Sequence, residues 1–357
     1  MATNKTDNQS KKQKLRGSRR CLTVGTWNVR TLVESMGDER ICRKVNKPGN
    51  HRNDHSMVDR KLDLVVRELK RYGISIAGIQ ETKWFGSDVW PADEYTFLHS
   101  GRPLPSGQEK AARNEGVGIA LDKKATAAWK NAGEVWEAVS SRVVMARLKW
   151  AGVGKRKHGR CKRDKDMYVS VICVYAPTAK APPGIKQNFF AELQDTLDKI
   201  PESDILVVLG DFNARVGVLD QDSDLWRGIL GRHGMIERNL AGHELLEFCA
   251  INNLSIMNTW FQKKEIHQGT WTHPATKRCH TIDFVLMRAE QRVQCKDVRA
   301  MRGANCWTDH VLVRAKLNVG TPPFTSRKGK SCMPFAVHEL STSARRDKYR
   351  EQLELQL

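Results

Sequence analysis

The stretch DILVVLGDFNARVG, Asp204–Gly217, joins an unbroken apolar run to a polar end. Ile205–Leu209 shows none of the polar alternation of a half-exposed strand, so it predicts a strand buried on both faces. Asp211 and Asn213 follow two residues apart and would lie on the same side of the chain if it stayed extended. Polar side chains at the end of a buried strand are typical of an active site. Gly-Asp-x-Asn also suits a turn, so this segment alone leaves turn and active site equally open.

The net charge of +20 is concentrated in three short segments. Residues 1–20 hold seven Lys and Arg against one acid, and residues 40–61 and 154–166 each hold seven against two, which together account for +16. A nearly neutral body with a disordered basic tail and two basic loops favours a polyanionic partner such as nucleic acid. Solvated basic loops without a ligand would have the same composition, so charge alone leaves both interpretations open.

The composition also bears on the cellular compartment. No apolar run approaches the roughly 18 to 20 residues needed to cross a bilayer, and the N-terminus lacks a hydrophobic stretch of signal-peptide type. The nine cysteines are scattered, with no C-x-x-C pair, which predicts reduced thiols and not a zinc site or disulfide framework. We therefore expect a soluble, monomeric protein of the nucleus or cytoplasm that is not secreted and does not contact membranes.

The periodicity along the chain predicts one α/β domain over residues 21–319, with sheets inside and helices outside. The strands at 143–150 and 167–175 should form an antiparallel hairpin. From residue 320 the composition becomes linker-like, and residues 320–357 are predicted to be a linker and the start of a further region. Helices are predicted at 58–71, 185–199 and 241–252, and the remaining strands at 22–29, 74–79, 95–99, 117–121, 205–209, 255–260, 281–287, 293–301 and 311–317.

Further polar residues stand at the ends of these predicted strands. Each has an ordinary structural explanation, such as a turn cap or a surface pair, but their joint placement at the edges of core strands is hard to obtain by chance. Carboxylate and amide oxygens are hard ligands that suit Mg²⁺ or Mn²⁺, whereas zinc would require His and Cys arrays. A metal that polarises a phosphoryl oxygen, a carboxylate that activates water and a histidine that stabilises negative charge together indicate a phosphodiester hydrolase. The residues are Asn28, Glu81, Tyr175, Asp211, Asn213, Asp283, Asp309 and His310.

Six ordered motifs carry a family resemblance over about residues 20–320: TWNVRTL, GIQETKW, VYAPT, VVLGDFNARVG, TIDFVL and CWTDH. They resemble the endonuclease/exonuclease/phosphatase superfamily, and within it the apurinic-endonuclease-like nuclease of LINE-type (non-LTR) retrotransposons. The resemblance implies a DNase I-like, four-layer α/β/β/α sandwich that cleaves DNA with Mg²⁺, for which Mn²⁺ can substitute. The implied partners are duplex DNA and, in a retroelement, the element RNA.

The same resemblance implies a role for each motif residue. Glu81 resembles the principal metal ligand, and Asn28 and Asp309 resemble the residues that assist it. The segments 37–56 and 154–166 look longer and more basic than the family pattern, which puts the mode of substrate binding in doubt and leaves the chemistry unaffected.

The remaining motif residues resemble the catalytic group of the family. Asp211 matches the carboxylate that orients or deprotonates the attacking water, and Asn213 matches the neighbour that positions the phosphate. Tyr175 and His310 resemble the phosphate contacts, with Asp283 as the partner of the histidine.

Three functions follow from the sequence, and a nicking endonuclease that leaves a 3′-hydroxyl is the first of them. Since a reverse transcriptase follows the nuclease in such elements and residues 335–357 resemble the start of the connecting region, a truncated or domesticated copy is expected. The alternatives are a nucleic-acid-binding remnant whose nuclease activity is lost or incidental, and a small-molecule phosphatase of the same fold. Binding to DNA without cleavage would identify a nucleic-acid-binding remnant. Phosphate release without plasmid nicking would identify a phosphatase.

Overall fold

The computed structural model describes residues 21–33, 61–103, 115–150, 166–219 and 225–319. The predicted tail 1–20, nearly all of the basic segments 40–61 and 154–166, and the predicted linker 320–357 lie outside the described residues. Within the described ranges, every helix is too short or too polar to cross a bilayer.

Fifteen strands and four α-helices make up the regular structure of the described residues. The strands are β1 (Cys21–Asn28), β2 (Ile76–Gln80), β3 (Ser87–Ala92), β4 (Tyr95–Ser100), β5 (Val117–Asp122), β6 (Trp136–Ser140), β7 (Val143–Trp150), β8 (Met167–Tyr175), β9 (Ile205–Asp211), β10 (Leu254–Ile256), β11 (Trp271–Thr272), β12 (Cys279–His280), β13 (Asp283–Arg288), β14 (Cys295–Ala300) and β15 (Val313–Asn318). The helices are α1 (Lys61–Arg71), α2 (Lys123–Asn131), α3 (Pro183–Asp198) and α4 (Leu240–Ile251).

Two mixed sheets form the centre of the molecule. The first has the strand order β14-β15-β1-β2-β5-β4-β3, and the second has the order β10-β13-β9-β8-β7-β6. In each sheet one pair of adjacent strands is parallel, β1 with β2 and β8 with β9. β7 and β8 form the predicted antiparallel hairpin, with Val143 opposite Val174 and Trp150 opposite Met167. The parallel pairs matter for function because both strands of a pair end at the same edge of the sheet.

The apolar run that opens β9 shows why the strand is buried on both faces. Val207 and Leu209 face the other sheet and belong to the core between the two sheets. Leu206 and Val208 point the opposite way and pack with residues of α3 and α4. On the far side of the molecule, α1 packs against the outer face of the first sheet. The layers are therefore α/β/β/α, and the predicted sandwich is confirmed.

Some element boundaries differ from the sequence predictions. The predicted strand 255–260 is β10 followed by a 3₁₀ turn at Met257–Trp260, and the predicted strand 293–301 starts with the end of a 3₁₀ segment, Ala289–Gln294. Short apolar runs do not distinguish a strand from a buried turn, because both bury the same side chains. The helix α2 was missed although Asp122 accepts a hydrogen bond from the Ala125 N–H as its N-cap, a signal that the sequence carries.

Candidate active site

The strand ends of both sheets converge at one edge of the sandwich. Asn28 ends β1, Tyr175 ends β8 and Asp211 ends β9. In the antiparallel pair of β9 and β13, Asp283 lies directly opposite Asp211. All eight residues predicted from the sequence are brought into this region, connected by the contacts described below.

Asn28 connects the two sheets. Its fully buried side-chain amide donates from Nδ2 to Glu81 Oε1 and to Asp211 Oδ2, each at 2.9 Å. Its Oδ1 accepts the backbone N–H of Arg30 at 2.9 Å, which sets the orientation of the amide. Asn28 therefore holds two carboxylates from different sheets at a fixed separation.

One carboxylate oxygen of Glu81 accepts hydrogen bonds inside the protein, and the other lies at the rim of the site. Oε1 accepts both the Asn28 amide and the Tyr175 hydroxyl, the latter at 3.0 Å. Oε2 lies 3.7 Å from Lys83 Nζ, and the Glu81 side chain is 17% exposed. Burial, followed by the charges of Glu81 and Asp211, raises the pKa of Tyr175 well above its usual range, so its hydroxyl keeps its proton at neutral pH.

Asp211, Asp283 and His310 form a buried cluster. His310 Nδ1 lies 3.1 and 3.2 Å from the two oxygens of Asp283, while His310 Nε2 lies 3.8 Å from Asp211 Oδ2. Burial, followed by the charge of Asp283, raises the pKa of Asp211 to about 7. Burial alone would lower the pKa of His310, but the charge and hydrogen bond of Asp283 outweigh it and raise that pKa to about 9. The cluster thus pairs a protonated histidine with a carboxylate that takes up a proton near neutral pH.

Asn213 lies in a turn and not in an extension of β9. Its φ is +49°, its backbone N–H donates to Asp211 Oδ1 at 2.9 Å, and its Nδ2 donates to the Ala176 carbonyl at 2.9 Å. The condition for Asp211 and Asn213 to share one side, an extended chain, is not met, because the strand ends at Asp211. The turn interpretation is correct, and the turn itself orients Asp211. Gly210 leaves no room for a Cβ, since it would collide with the backbone of Val174.

Asp309 lies at the outer rim, beside His310. Its Oδ2 accepts the indole N–H of Trp271 at 3.1 Å, and its Oδ1 lies 3.8 Å from Arg30 Nη1. Its side chain is 26% exposed. Trp271 also bridges to the backbone of His310, so β11 fixes the loop that carries both residues.

Two groups of side chains are candidates for a cation. Among the described residues, the group of His, Cys, Asp and Glu with all ligand atoms within 4.8 Å is Asp211, Asp283 and His310. In that group Nδ1 of the histidine is already paired with Asp283. Glu81 and Asp309, predicted from the sequence as ligands, instead offer partly exposed carboxylate oxygens whose neighbours are cationic side chains. Their hard oxygen donors fit Mg²⁺ or Mn²⁺.

Arg142 is a further residue beside the site that was not predicted from the sequence. Its guanidinium donates to the Tyr175 carbonyl at 3.0 Å and to Glu115 Oε1 at 2.7 Å, and it lies 5.3 Å from the centre of the Tyr175 ring. Glu115 also accepts two hydrogen bonds from Arg102. The signal was available, since a charged residue immediately precedes the apolar run of β7, just as charged residues follow β2 and end β9.

Backbone strain is concentrated in the loops of this region. Six of the ten described non-glycine residues with positive φ lie in the loops that follow β1, β2 and β9 or that precede His310. Such conformations cost about 1 to 3 kcal/mol each and persist where surrounding structure enforces them, often at functional sites. The six are Arg30, Thr31, Glu81, Lys83, Asn213 and Trp307.

The model of the Endonuclease/Exonuclease/phosphatase family matches residues 25–323. The chain therefore belongs to this family, and the fold is the one expected from the sequence. Craniofacial development protein 2 of Bos taurus is 32% identical over 316 residues, which cover 87% of this chain and 47% of that relative. The chain thus spans about half the length of this relative.

Solved structures show the same fold at low sequence identity. The APE2 catalytic domain of Xenopus laevis is 16% identical, with a TM-score of 0.54 over 83% of this chain and 92% of that chain. A 3′ phosphatase from Neisseria, bound to a product DNA hairpin, is 19% identical, with a TM-score of 0.50 over 83% of this chain and 99% of that chain.

Proposed function

We propose that this chain is a divalent-metal-dependent endonuclease that nicks duplex DNA and leaves a 3′-hydroxyl. The observation that carries the proposal is the position of Asp211, which contacts Asn28 on one side and lies 3.8 Å from the His310 imidazole on the other. A carboxylate placed between a possible cation site and a protonated histidine can act on a water that attacks a phosphodiester. Family membership and the DNA hairpin in the Neisseria relative agree with such a substrate.

Each side chain of the site has a separate role in the proposed reaction. Asp211, with its pKa raised to about 7, is poised to accept a proton from the attacking water at neutral pH. His310, protonated and held by Asp283, would donate a hydrogen bond to a phosphate oxygen as negative charge builds up. The Tyr175 hydroxyl is a second donor beside Glu81. Asn213 would help position the phosphate through the turn it shares with Asp211.

Glu81 would hold the cation, with Asn28 and Asp309 assisting. The carboxylate oxygens of Glu81 and Asp309 reach the rim of the site, whereas Asn28 and Asp283 are completely buried. When bound, Mg²⁺ or Mn²⁺ supplies positive charge that polarises the phosphoryl oxygen. Lys83 and Arg30, which neighbour these carboxylates, would then be free to contact phosphates of the DNA strand.

Exposed cations next to the site favour a polymeric substrate. Lys277 and Arg278 lie exposed in the turn between β11 and β12, and β11 contacts Asp309 through Trp271. Together with the basic segments of the sequence, they would follow the DNA backbone. From the six sequence motifs we also propose a retroelement origin, and from the composition a nuclear or cytoplasmic location. Element RNA is a second candidate partner.

A supercoiled-plasmid nicking assay tests the proposal. Wild type, Asp211→Asn and Asp88→Asn should be compared with Mg²⁺, with Mn²⁺ and with EDTA. Asp88 is an exposed aspartate on the edge strand β3, so its variant is the matched control. We expect nicking by wild type and Asp88→Asn, no nicking in EDTA, and a loss of about 100-fold to 10,000-fold in Asp211→Asn.

Other results would identify the other functions. If wild type leaves the plasmid intact with both ions, the endonuclease proposal is wrong. DNA binding that persists in Asp211→Asn and weakens steeply with salt would then identify a nucleic-acid-binding protein. Release of inorganic phosphate from a small phosphoester, without nicking, would identify a phosphatase.

A further inference from the structure

Trp307 differs from every other tryptophan of the chain. All ten tryptophans lie within the described residues, and nine of them are buried or half-buried. Trp307 is 64% exposed. The exposed indole presents a large, rigid aromatic face that a ligand could cover.

The loop around Trp307 is firmly attached. The preceding Cys306 is completely buried. The Trp307 N–H donates to Asn305 Oδ1 at 3.0 Å, and its carbonyl accepts from Lys61 Nζ at 3.4 Å. The exposure of the indole therefore does not result from a loose loop, because both ends of the residue's backbone are fixed.

The same loop is bonded to the candidate active site. Thr308 Oγ1 donates to the Asn28 carbonyl at 2.9 Å and accepts the His310 N–H at 3.2 Å. Three consecutive Cα steps of about 3.8 Å place the Trp307 Cα no more than about 11 Å from the Cα of His310. At this separation an indole would be within reach of a nucleotide next to the one whose phosphate would contact His310.

The backbone conformation of Trp307 is one that bulky residues avoid. Its φ is +58°, in the left-handed region where Gly and Asn are favoured. A bulky, exposed residue in this conformation brings no packing to offset the strain. The chain thus holds an indole that has no ring contact among the described residues in a disfavoured backbone conformation beside the site, as a binding platform would require.

We propose that Trp307 is a stacking platform for a nucleobase that flanks the scissile phosphate. The inference rests on the proposed nuclease function and adds a substrate preference to it. In an intact duplex both faces of each base are covered by its neighbours, so the indole would have to compete with them. A base that is mismatched, unpaired or next to an abasic position is already partly unstacked, and DNA of that kind would be favoured.

The test uses duplex oligonucleotides with 2-aminopurine opposite or beside an abasic position, in EDTA so that no strand is cut. Wild type should quench 2-aminopurine fluorescence by stacking and should bind this DNA more tightly than the fully paired duplex. Trp307→Gly keeps the left-handed backbone without strain but removes the ring. We expect it to abolish the quenching and to weaken binding of the abasic duplex about 5-fold to 100-fold, the range of one base–aromatic stack. Trp307→Phe should retain part of both effects.

A matched control and a separate activity measurement make the outcomes distinct. Val293 is 72% exposed in the 3₁₀ segment that follows β13, at the end of that strand opposite Asp283, so Val293→Gly should change nothing. Equal quenching and affinity in wild type and Trp307→Gly would overturn the stacking role, even if wild type nicks plasmid. Absence of nicking by wild type would overturn the nuclease function instead, and the fluorescence assay would still report on Trp307.

Discussion

Two buried carboxylates of this protein have opposite surroundings. Glu115 accepts hydrogen bonds from two guanidinium groups, those of Arg102 and Arg142, at 2.6 to 2.9 Å. Burial would raise its pKa, but these cations and the Ser141 hydroxyl lower it to about 2. Asp211 accepts only an amide and a backbone N–H among its described hydrogen bonds, and burial and Asp283 raise its pKa to about 7.

The difference separates a carboxylate that holds the fold together from one that is available for chemistry. A buried charge with cationic hydrogen-bond partners is compensated, and removing it leaves those partners unpaired. A buried carboxylate without such partners is held at a cost to stability and can exchange a proton near neutral pH. Arg142 connects the two cases, because it binds Glu115 and also the backbone of Tyr175.

The largest expected effect is on catalysis by Asp211→Asn. The rate of plasmid nicking should fall about 100-fold to 10,000-fold, because the amide cannot accept a proton from water. The free energy of unfolding, measured by urea denaturation, should stay equal or increase, since a buried carboxylate that has no cationic hydrogen-bond partner is replaced by a neutral amide. A variant that loses both activity and stability would place Asp211 in the same structural class as Glu115.

Glu115→Gln should show the reverse pattern. We expect a loss of about 1 to 3 kcal/mol in the free energy of unfolding, because two arginines lose their anionic partner. Nicking, assayed well below the unfolding temperature, should change far less than in Asp211→Asn. Glu202→Gln, at an exposed glutamate, is the control and should leave both quantities unchanged.

The contributions of the two carboxylates to the free energy of unfolding should depend on pH in opposite directions in metal-free buffer. The folded pKa of Asp211 is raised from 3.8 to about 7, so between these values the folded state binds a proton that the unfolded state has released. Stability therefore falls as pH rises through that window, and Asp211→Asn should gain on wild type from about pH 4 to pH 7.

For Glu115 the folded pKa is lowered from 4.5 to about 2, so its contribution is complete above pH 4.5 and is lost as pH falls towards 2. The advantage of wild type over Glu115→Gln should shrink in that acidic range. Urea titrations at a series of pH values would measure both slopes, and slopes of the same sign for the two variants would contradict the comparison.

The smallest expected effect is that of Arg142→Lys. Lysine keeps the charge but cannot reach Glu115 and the Tyr175 carbonyl at once with a planar fork. The nicking rate should fall about threefold to tenfold, the size of one lost hydrogen bond. If Arg142 acts through Tyr175, this loss should become smaller in a Tyr175→Phe background, and a fully additive double variant would exclude that route.

The features that could be predicted from the amino-acid sequence are local ones. The unbroken apolar run Ile205–Leu209 specifies a strand buried on both faces, because one face meets the other sheet and the other meets helices. Six ordered motifs identified the family, and each predicted site residue could be named because it stands at the end of an apolar run. The polar ends of strands are visible in sequence since the change from apolar to polar occurs within two or three residues.

Which side chains contact one another depends on the tertiary structure. Asn28 reaches Asp211, 183 positions away in sequence, because β1 and β9 belong to sheets that pack face to face. Glu115 meets Arg102 from the loop after β4 of its own sheet and Arg142 from immediately before β7 in the other sheet. Asp211 has no arginine among its described contacts, although both are acidic residues beside apolar runs. Whether a carboxylate is compensated depends on neighbours from distant segments, which no local pattern records, and that compensation separates the structural acid from the candidate catalytic one.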